Sequence, residues 1–196
     1  MSTAFAERSP ADPLAGRRHV VTVDDYYRMA EVGLLGPEDR VELIEGEIID
    51  MTPIGSAHAG RVDRLNNVLS PSLHGRAIVR VQGPVRLGRR SEPQPDLAVL
   101  CYRDDFYATA HPGPADVLLI IEVADTSAHY DRDVKVPLYA RQGIGEVWLV
   151  DLEAGRVEVY REPEQGAYRR VERLTEGMLA PAAFPDVQLD VGALLA

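Results

Sequence analysis

The sequence predicts a mixed α/β fold, and two observations support this prediction. Segments whose apolar residues recur every three or four positions, as in helices, alternate with short β-branched and apolar runs, as in strands. The two densest apolar runs, residues 96–101 and 117–124, are typical of central strands that are covered on both faces. With 196 residues, 45% of them hydrophobic, the chain is long enough to bury one substantial core. We therefore predict a mixed sheet flanked by helices.

The N-terminal segment predicts an arm followed by a short helix. Residues 1–19 are small, polar and proline-bearing, so we expect a flexible arm and a single domain over residues 20–196. Thr22 and Asp25 have the spacing of a capping box, which predicts a helix that continues through Ala30.

A hairpin and a second helix follow. Residues 40–51 are β-branched and apolar around Glu45-Gly46, which is typical of a hairpin turn. From residue 57 the period changes to that of a helix that ends near Pro71 and Gly75. One face of this helix carries His58, Val62, Leu65 and Leu69.

The second half of the chain is mostly strand, with one helix over residues 131–142 in which Pro137 is unfavourable. Apolar and polar residues alternate over residues 156–161, as in a strand that pairs with residues 146–151 in a hairpin. Residues 168–174 and 187–189 are expected to complete the sheet. The predicted strands cover residues 77–82, 84–87, 96–101, 117–124, 146–151, 156–161, 168–174 and 187–189.

Composition restricts the class of protein. No apolar segment is long enough to cross a bilayer, and the N-terminus has no signal-peptide core, so we expect a cytoplasmic protein that makes no membrane contact. The single cysteine, Cys101, cannot form an internal disulfide. The net charge of −10 disfavours indiscriminate coating of nucleic acids.

One stretch departs from this acidic average. Between Asp63 and Glu92 the chain has no acidic residue, and we expect the arginines of its second half to contact a phosphate backbone. An ordinary solvated pair of strands fits the same pattern equally well. The arginines concerned are Arg76, Arg80, Arg86, Arg89 and Arg90.

Two carboxylates lie where a charge is costly. Asp96 opens an apolar strand, and Glu122 is embedded in the run VLLIIEVA. Asp96 alone also fits a strand-entry residue that bonds backbone amides, and Glu122 alone fits a salt bridge at a strand end. Two acids at adjacent strand ends would together hold a hard cation such as Mg²⁺, which prefers oxygen ligands.

Two further residues can take part in chemistry. Lys135, the only lysine, lies on the predicted helix that follows the Glu122 strand. Its position is compatible with a catalytic ammonium group and equally with a residue on a solvated helix face. His58 points inward near its helix start, where a satisfied core histidine is the commoner role. No histidines or cysteines have zinc-site spacing, and no phosphate-binding loop or nucleophile elbow is present.

From about Val20 to the C-terminus, these features resemble the Uma-type family of predicted endonucleases. That family is a bacterial branch of the PD-(D/E)xK restriction-endonuclease-like superfamily. The resemblance rests on five motifs in the right order: RVELIEGEII (40–49), His58 at a helix start, PDLAV (95–99), IEV (121–123) and DRDVKVPLYARQGIGEVWLVD (131–151).

The resemblance implies a restriction-endonuclease-like mixed sheet with additional hairpins. It assigns Asp96 and Glu122 to Mg²⁺, with Mn²⁺ as a substitute and the Val123 carbonyl as a further ligand. The superfamily lysine normally lies two residues after the second acid, and that position is Ala124 here. In the Uma-type pattern the lysine lies on the following helix instead, and Lys135 occupies that position.

Other positions match or depart from the family pattern. Glu42 matches a recurrent glutamate that would be a further catalytic group, and His58 matches a recurrent histidine that would be an accessory residue. Asp125 replaces the usual small residue and proline after the acid. Pro137 lies two residues after Lys135, where it would shift the ammonium group.

The predicted function is Mg²⁺-dependent hydrolysis of DNA phosphodiester bonds, with a homodimer expected if both strands are cut. The alternative is a catalytically silent nuclease-fold domain that binds nucleic acid or a protein partner, which the acidic net charge and Asp125 favour. A third hypothesis is a metal-dependent hydrolase of another phosphate ester.

Overall fold

The computed structural model describes residues 19–195 and begins with the predicted helix. Helix α1 (Val23–Glu31) has the capping box: the Thr22 hydroxyl accepts from the Asp25 N–H (3.2 Å), and the Asp25 carboxylate accepts from the Thr22 N–H (3.1 Å). The predicted arm, residues 1–19, lies outside the described residues except for His19.

The predicted hairpin consists of β1 (Val41–Ile44) and β2 (Glu47–Asp50), paired antiparallel. Its turn residues Glu45 (φ 50°) and Gly46 (φ 84°) are both left-handed, as a type I′ turn requires. A Cβ on Gly46 would lie 1.8 Å from Val20 Cγ1, so the close approach of the N-terminal segment also requires glycine here.

A six-stranded mixed sheet forms the centre, which confirms the predicted fold class. The strands are adjacent in chain order; β5 and β6 are parallel and the other pairs antiparallel. They are β3 (Ala77–Val81), β4 (Leu97–Cys101), β5 (Val117–Ala124), β6 (Glu146–Asp151), β7 (Arg156–Glu164) and β8 (Ala167–Leu174).

Helices cover both faces of this sheet. Alternate side chains of β4, β5 and β6 enter two separate cores, as expected for central strands. The first core packs under α2 (Ser56–Ser72) and α5 (Val191–Leu195). The second packs under a continuous helical segment made of α3 (Ala128–Tyr130), a π-helical stretch (Asp131–Lys135) and α4 (Val136–Arg141). A short 3₁₀ turn (Pro114–Asp116) precedes β5.

The π-helical stretch explains how Pro137 fits into a helix. The Val136 N–H bonds the carbonyl of Asp131, five residues back, and this wider turn precedes the proline. Pro137 then lies in the first turn of α4, where its missing N–H costs little. The predicted helix 131–142 therefore begins three residues earlier and ends at Arg141.

Two predicted strands are wrong. Residues 84–87 are extended, but their N–H groups bond loop carbonyls, such as Val85 to Pro93 and Leu87 to Ser91, so they form no strand. Residues 187–189 do not complete the central sheet. Instead, β10 (Leu189–Asp190) pairs with β9 (Met178–Leu179) in a separate two-stranded sheet that packs on the first core. In the first case apolar content reflects burial rather than strand pairing, and in the second the strand is shorter and pairs outside the central sheet.

Within residues 19–195, no helix has the combination of length and hydropathy that spanning a membrane requires.

Candidate active site

Asp96 and Glu122 lie side by side on one face of the central sheet. Leu97 pairs with Ile121, so the next position along each strand brings residues 96 and 122 opposite one another. The Asp96 N–H lies 3.4 Å from Glu122 Oε2, and Asp96 Oδ2 accepts from the Val123 N–H at 2.8 Å. Side chains alternate along a strand, and both acids therefore point to the face that the Lys135 helix covers.

Lys135 points from the helical segment at Glu122. Its Nζ lies 3.5 Å from Glu122 Oε1 and 4.0 Å from Asp131 Oδ1, and the side chain is only 8% exposed. The alternative of a solvated helix face is therefore wrong. The residues of this helix that meet at the site share one stripe, because Asp131, Lys135 and Tyr139 are spaced four apart.

Glu42 reaches the same place from the hairpin. Its Oε2 lies 3.2 Å from Lys135 Nζ and accepts from the Gln94 N–H at 3.1 Å. Ile44, two residues along β1, packs in the second core, so the hairpin register turns Glu42 towards the site. Glu42, Glu122 and Lys135 are all buried.

His58 approaches from the other side of the sheet end, in the first turn of α2. Its Nε2 lies 2.7 Å from Asp96 Oδ1. This hydrogen bond raises the pKa of His58, against the opposing effect of burial. His58 thus fixes one oxygen of Asp96 while the Val123 N–H fixes the other, which holds the carboxylate in one orientation.

These residues line one cavity of about 290 Å³. Asp125, the unexpected acid after the strand, lines it too. The cavity wall that bears on the chemistry consists of Glu42, His58, Asp96, Glu122, Val123, Asp125, Tyr130, Asp131 and Lys135.

The buried charges perturb one another. Burial raises the pKa of Glu122 to about 8, although Lys135 acts in the opposite direction. Burial alone would lower the pKa of Lys135, but Glu122, Glu42 and Asp131 outweigh it and raise that pKa above its ordinary value. Burial also raises the pKa of Asp131. Three acids surround the one lysine, which remains an ammonium group.

The donor set fits a Mg²⁺ ion that keeps several water ligands. Among residues 19–195, no group of three or more His, Cys, Asp or Glu side chains is arranged so that it could hold a metal ion. Mg²⁺ typically takes only one or two carboxylates and completes its shell with water and substrate phosphate, and the excess of carboxylates at the site suits a divalent cation. The Val123 N–H bonds Asp96, and since the N–H and C=O of one strand residue point to the same edge, the Val123 carbonyl lies on that edge of β5.

Sequence reasoning missed two tyrosines and an aspartate of this site. Tyr139 is fully buried, and its hydroxyl donates to Glu122 Oε1 at 2.5 Å. Asp131 accepts a hydrogen bond from the Ser127 hydroxyl at 2.7 Å. Tyr130 lies at the cavity one residue before Asp131. The four-residue spacing of Asp131, Lys135 and Tyr139 is visible in the sequence and was the signal that could have found two of them.

Comparisons with known proteins identify the family and the fold. The sequence matches the model of the Uma2 family, described as "Putative restriction endonuclease", over residues 23–192. The chain belongs to the Uma2 family. A crystal structure of an Anabaena variabilis protein, described as a putative nuclease belonging to DUF820, has a TM-score of 0.73 and 19% identity, covering 89% of this chain and 97% of that one. That likeness concerns the fold. No curated protein matches the sequence.

In this Uma2 protein, the predicted phosphate-binding arginines differ in their surroundings. Arg76 binds both carboxylate oxygens of Asp186 and lies over the Phe184 ring. Arg86 donates to the buried Glu92 at 2.7 Å. The charges of these two arginines are therefore already compensated within the fold.

Among the described residues, the other three arginines of the segment have no carboxylate that compensates their charge. Arg80 donates to the Phe106 carbonyl at 3.3 Å and lies over the Tyr107 ring, contacts that leave its charge uncompensated. Arg89 and Arg90 are exposed, and within residues 19–195 their side chains form no ion pair. The positive face predicted from sequence is thus reduced to these three.

Proposed function

We propose that this protein is a Mg²⁺-dependent nuclease that hydrolyses DNA phosphodiester bonds. The observation that carries the proposal is the convergence of Asp96, Glu122 and Lys135 on one cavity, with two acids on neighbouring strands and the only lysine within 3.5 Å of one of them. Membership of a family described as "Putative restriction endonuclease" supports the class of reaction.

Asp96 and Glu122 would hold the metal, with the Val123 carbonyl as a further ligand. When bound, the ion would supply Lewis-acid activation of the phosphate and of a water molecule. His58 and the Val123 N–H keep Asp96 oriented. The Tyr139 hydroxyl and Lys135 do the same for Glu122.

Lys135 would stabilise negative charge on the phosphoryl oxygens or position the attacking water. Glu42 holds the ammonium group from its other side, which restricts its position. Burial of the whole group in a low-dielectric environment strengthens these interactions relative to water.

A cleavage assay of the full chain tests this function. Plasmid, single-stranded DNA and RNA are incubated with Mg²⁺, Mn²⁺ or EDTA, using wild type, Asp96→Asn and Glu122→Gln. Glu164→Gln, an exposed acid on β7 paired with Arg169, is the matched control. We expect metal-dependent cleavage of DNA that each site variant lowers by about 100-fold or more and the control leaves intact.

Isothermal titration with Mn²⁺ follows metal binding in the same variants and should show weaker binding only for the two site variants. Cleavage that persists in EDTA, or in both site variants, would contradict the proposed mechanism. Binding of DNA without cleavage in any metal would instead favour the catalytically silent domain. The pairing of Arg76 and Arg86 with acids of the fold removes two expected phosphate contacts, and this observation favours a silent domain that binds a protein partner rather than nucleic acid.

A further inference from the structure

Tyr130 presents a hydroxyl that the fold itself does not use. The oxygen is buried, yet within residues 19–195 it has no hydrogen-bond partner. Six other tyrosine hydroxyls in the described part of the chain donate to a carbonyl or a carboxylate: Tyr26, Tyr27, Tyr107, Tyr139, Tyr160 and Tyr168. An enclosed polar group without a partner is destabilising, so a phenol at this position requires an explanation that the folded chain does not provide.

The position of Tyr130 supplies that explanation. It lines the same cavity as Asp96, Glu122 and Lys135. It is also the residue immediately before the π-helical stretch (Asp131–Lys135), in which the Val136 N–H bonds the Asp131 carbonyl five residues back. This geometry brings Tyr130 and Lys135 to the same side of the helix. Turns of the π-helical kind are rare, and they occur frequently at functional sites.

We propose that the Tyr130 hydroxyl donates a hydrogen bond to a non-bridging oxygen of the substrate phosphate, an inference that rests on the phosphodiester hydrolysis proposed above. A phosphate oxygen accepts hydrogen bonds and donates none, so the ligand matches the unused O–H. The same contact makes Tyr130 a substrate-binding residue alongside Lys135.

The surroundings keep the hydroxyl protonated. Burial raises the pKa of Tyr130, and the Glu42 carboxylate raises it further, although Lys135 acts in the opposite direction. The O–H is therefore available as a donor over the whole pH range in which the protein would act.

The test compares Tyr130→Phe with Tyr168→Phe. Tyr168 lies on β8, away from the cavity lining, and its hydroxyl donates to the Ile144 carbonyl at 2.8 Å. Removing the Tyr130 oxygen breaks no bond within the fold, so the melting temperature should stay the same or rise while DNA cleavage falls at least 10-fold. Tyr168→Phe should show the reverse, with a lower melting temperature and unchanged cleavage.

A second measurement is independent of cleavage. Titration of inorganic phosphate into the full chain in the presence of Mg²⁺ should give a dissociation constant at least 5-fold higher for Tyr130→Phe than for wild type, with Tyr168→Phe unchanged. If the wild type cleaves DNA and Tyr130→Phe cleaves at the same rate, the inference on Tyr130 is overturned and the nuclease function stands. If the wild type cleaves nothing but Tyr130→Phe weakens phosphate binding, the nuclease function fails and the phosphate contact stands. A Tyr130→Phe variant that loses stability like Tyr168→Phe while phosphate binding is unchanged would show that the hydroxyl serves the fold.

Discussion

At the scale of single residues, the site depends on one ammonium group surrounded by acids. Lys135 lies 3.2 Å from Glu42 and 3.5 Å from Glu122, and all three side chains are buried. Breaking a buried charge pair leaves its partner uncompensated in a medium of low dielectric, which costs about 3–5 kcal/mol. Lys135 therefore contributes to stability as well as to the proposed chemistry, and experiments must separate the two contributions.

Lys135→Ala should lower turnover about 100-fold or more, measured at a temperature where circular dichroism shows the variant folded. Its free energy of unfolding should fall by about 3 kcal/mol, because Glu42 and Glu122 lose their cation. Lys135→Arg should restore much of the stability but not the turnover, since a planar guanidinium cannot take the place of a compact ammonium group.

Arg141→Ala is the matched control for this prediction. Arg141 lies on the same helical segment, but it is exposed and pairs with Glu45 at the hairpin turn. Its loss should change neither turnover nor stability appreciably. Full activity in Lys135→Ala would show that the ammonium group serves the fold alone.

At the scale of elements, the helical segment that carries Lys135 is fastened to the sheet by a second ionic cluster. Arg132 donates to Glu158 on β7 and to Asp151 on β6. Glu158 is fully buried and also accepts from Arg156 and from the Tyr160 hydroxyl. These bonds set the position of the π-helical stretch over the sheet and hence of Lys135 over Glu122.

The pKa of Glu158 predicts how this fastening depends on pH. Burial alone would raise that pKa, but the hydrogen bonds from Arg132, Tyr160 and Arg156 outweigh it and lower it from 4.5 to about 2. A carboxyl whose pKa is lower in the folded state stabilises the protein above its unfolded pKa, and this contribution is lost as the pH falls from about 4.5 to about 2.

Glu158→Gln should therefore lower the free energy of unfolding at pH 7 by about 3 kcal/mol and flatten its decline between pH 4.5 and 2, as measured by urea denaturation. Glu164→Gln on the same strand, whose partner Arg169 is exposed, should change stability by less than about 1 kcal/mol. An unchanged acid profile in Glu158→Gln would assign the acid sensitivity to other carboxyls.

At the scale of the whole molecule, a net charge of −10 must be reconciled with the polyanionic substrate that we propose. Electrostatic attraction then depends on local charge, and much of the arginine content is paired with acids, as Arg76 and Arg86 illustrate. Arg89 and Arg90 lie between Val23 and the hairpin turn, since their carbonyls accept from the Val23 and Gly46 N–H groups. They are the exposed cations of the segment that are free to meet phosphate.

Replacing Arg89 and Arg90 together with alanine should weaken DNA binding at low salt and reduce the slope of log K against log salt by about 2, since each arginine would neutralise one phosphate. Fluorescence anisotropy over a range of salt concentrations, with Ca²⁺ replacing Mg²⁺ to prevent cleavage, measures both quantities. Arg76→Ala is the control and should leave the slope unchanged, because Asp186 already compensates that charge. Equal slopes for wild type and the double variant would place the DNA interface elsewhere.

The sequence by itself determined the fold class and most of the strands, and it singled out the candidate acids. Periodicity reports burial directly, so β5 (Val117–Ala124) and β6 (Glu146–Asp151) have the bounds that their apolar runs predict, and Glu122 is conspicuous as a charge inside such a run. The same signal misassigned residues 84–87 and 187–189, because a buried loop and a buried edge have the composition of a strand.

Only the tertiary structure decided which residues meet. Strand register placed Asp96 opposite Glu122, the wide π-helical turn brought Lys135 and Tyr130 to the cavity, and the separate hairpin added Glu42. It also decided that Asp186 compensates the charge of Arg76 and that Glu92 compensates the charge of Arg86. Asp186 lies more than 100 positions after Arg76 in the chain. Pairing between distant residues leaves no local pattern in the sequence, because the residues next to a charged side chain do not reveal which residue will pair with it in the fold.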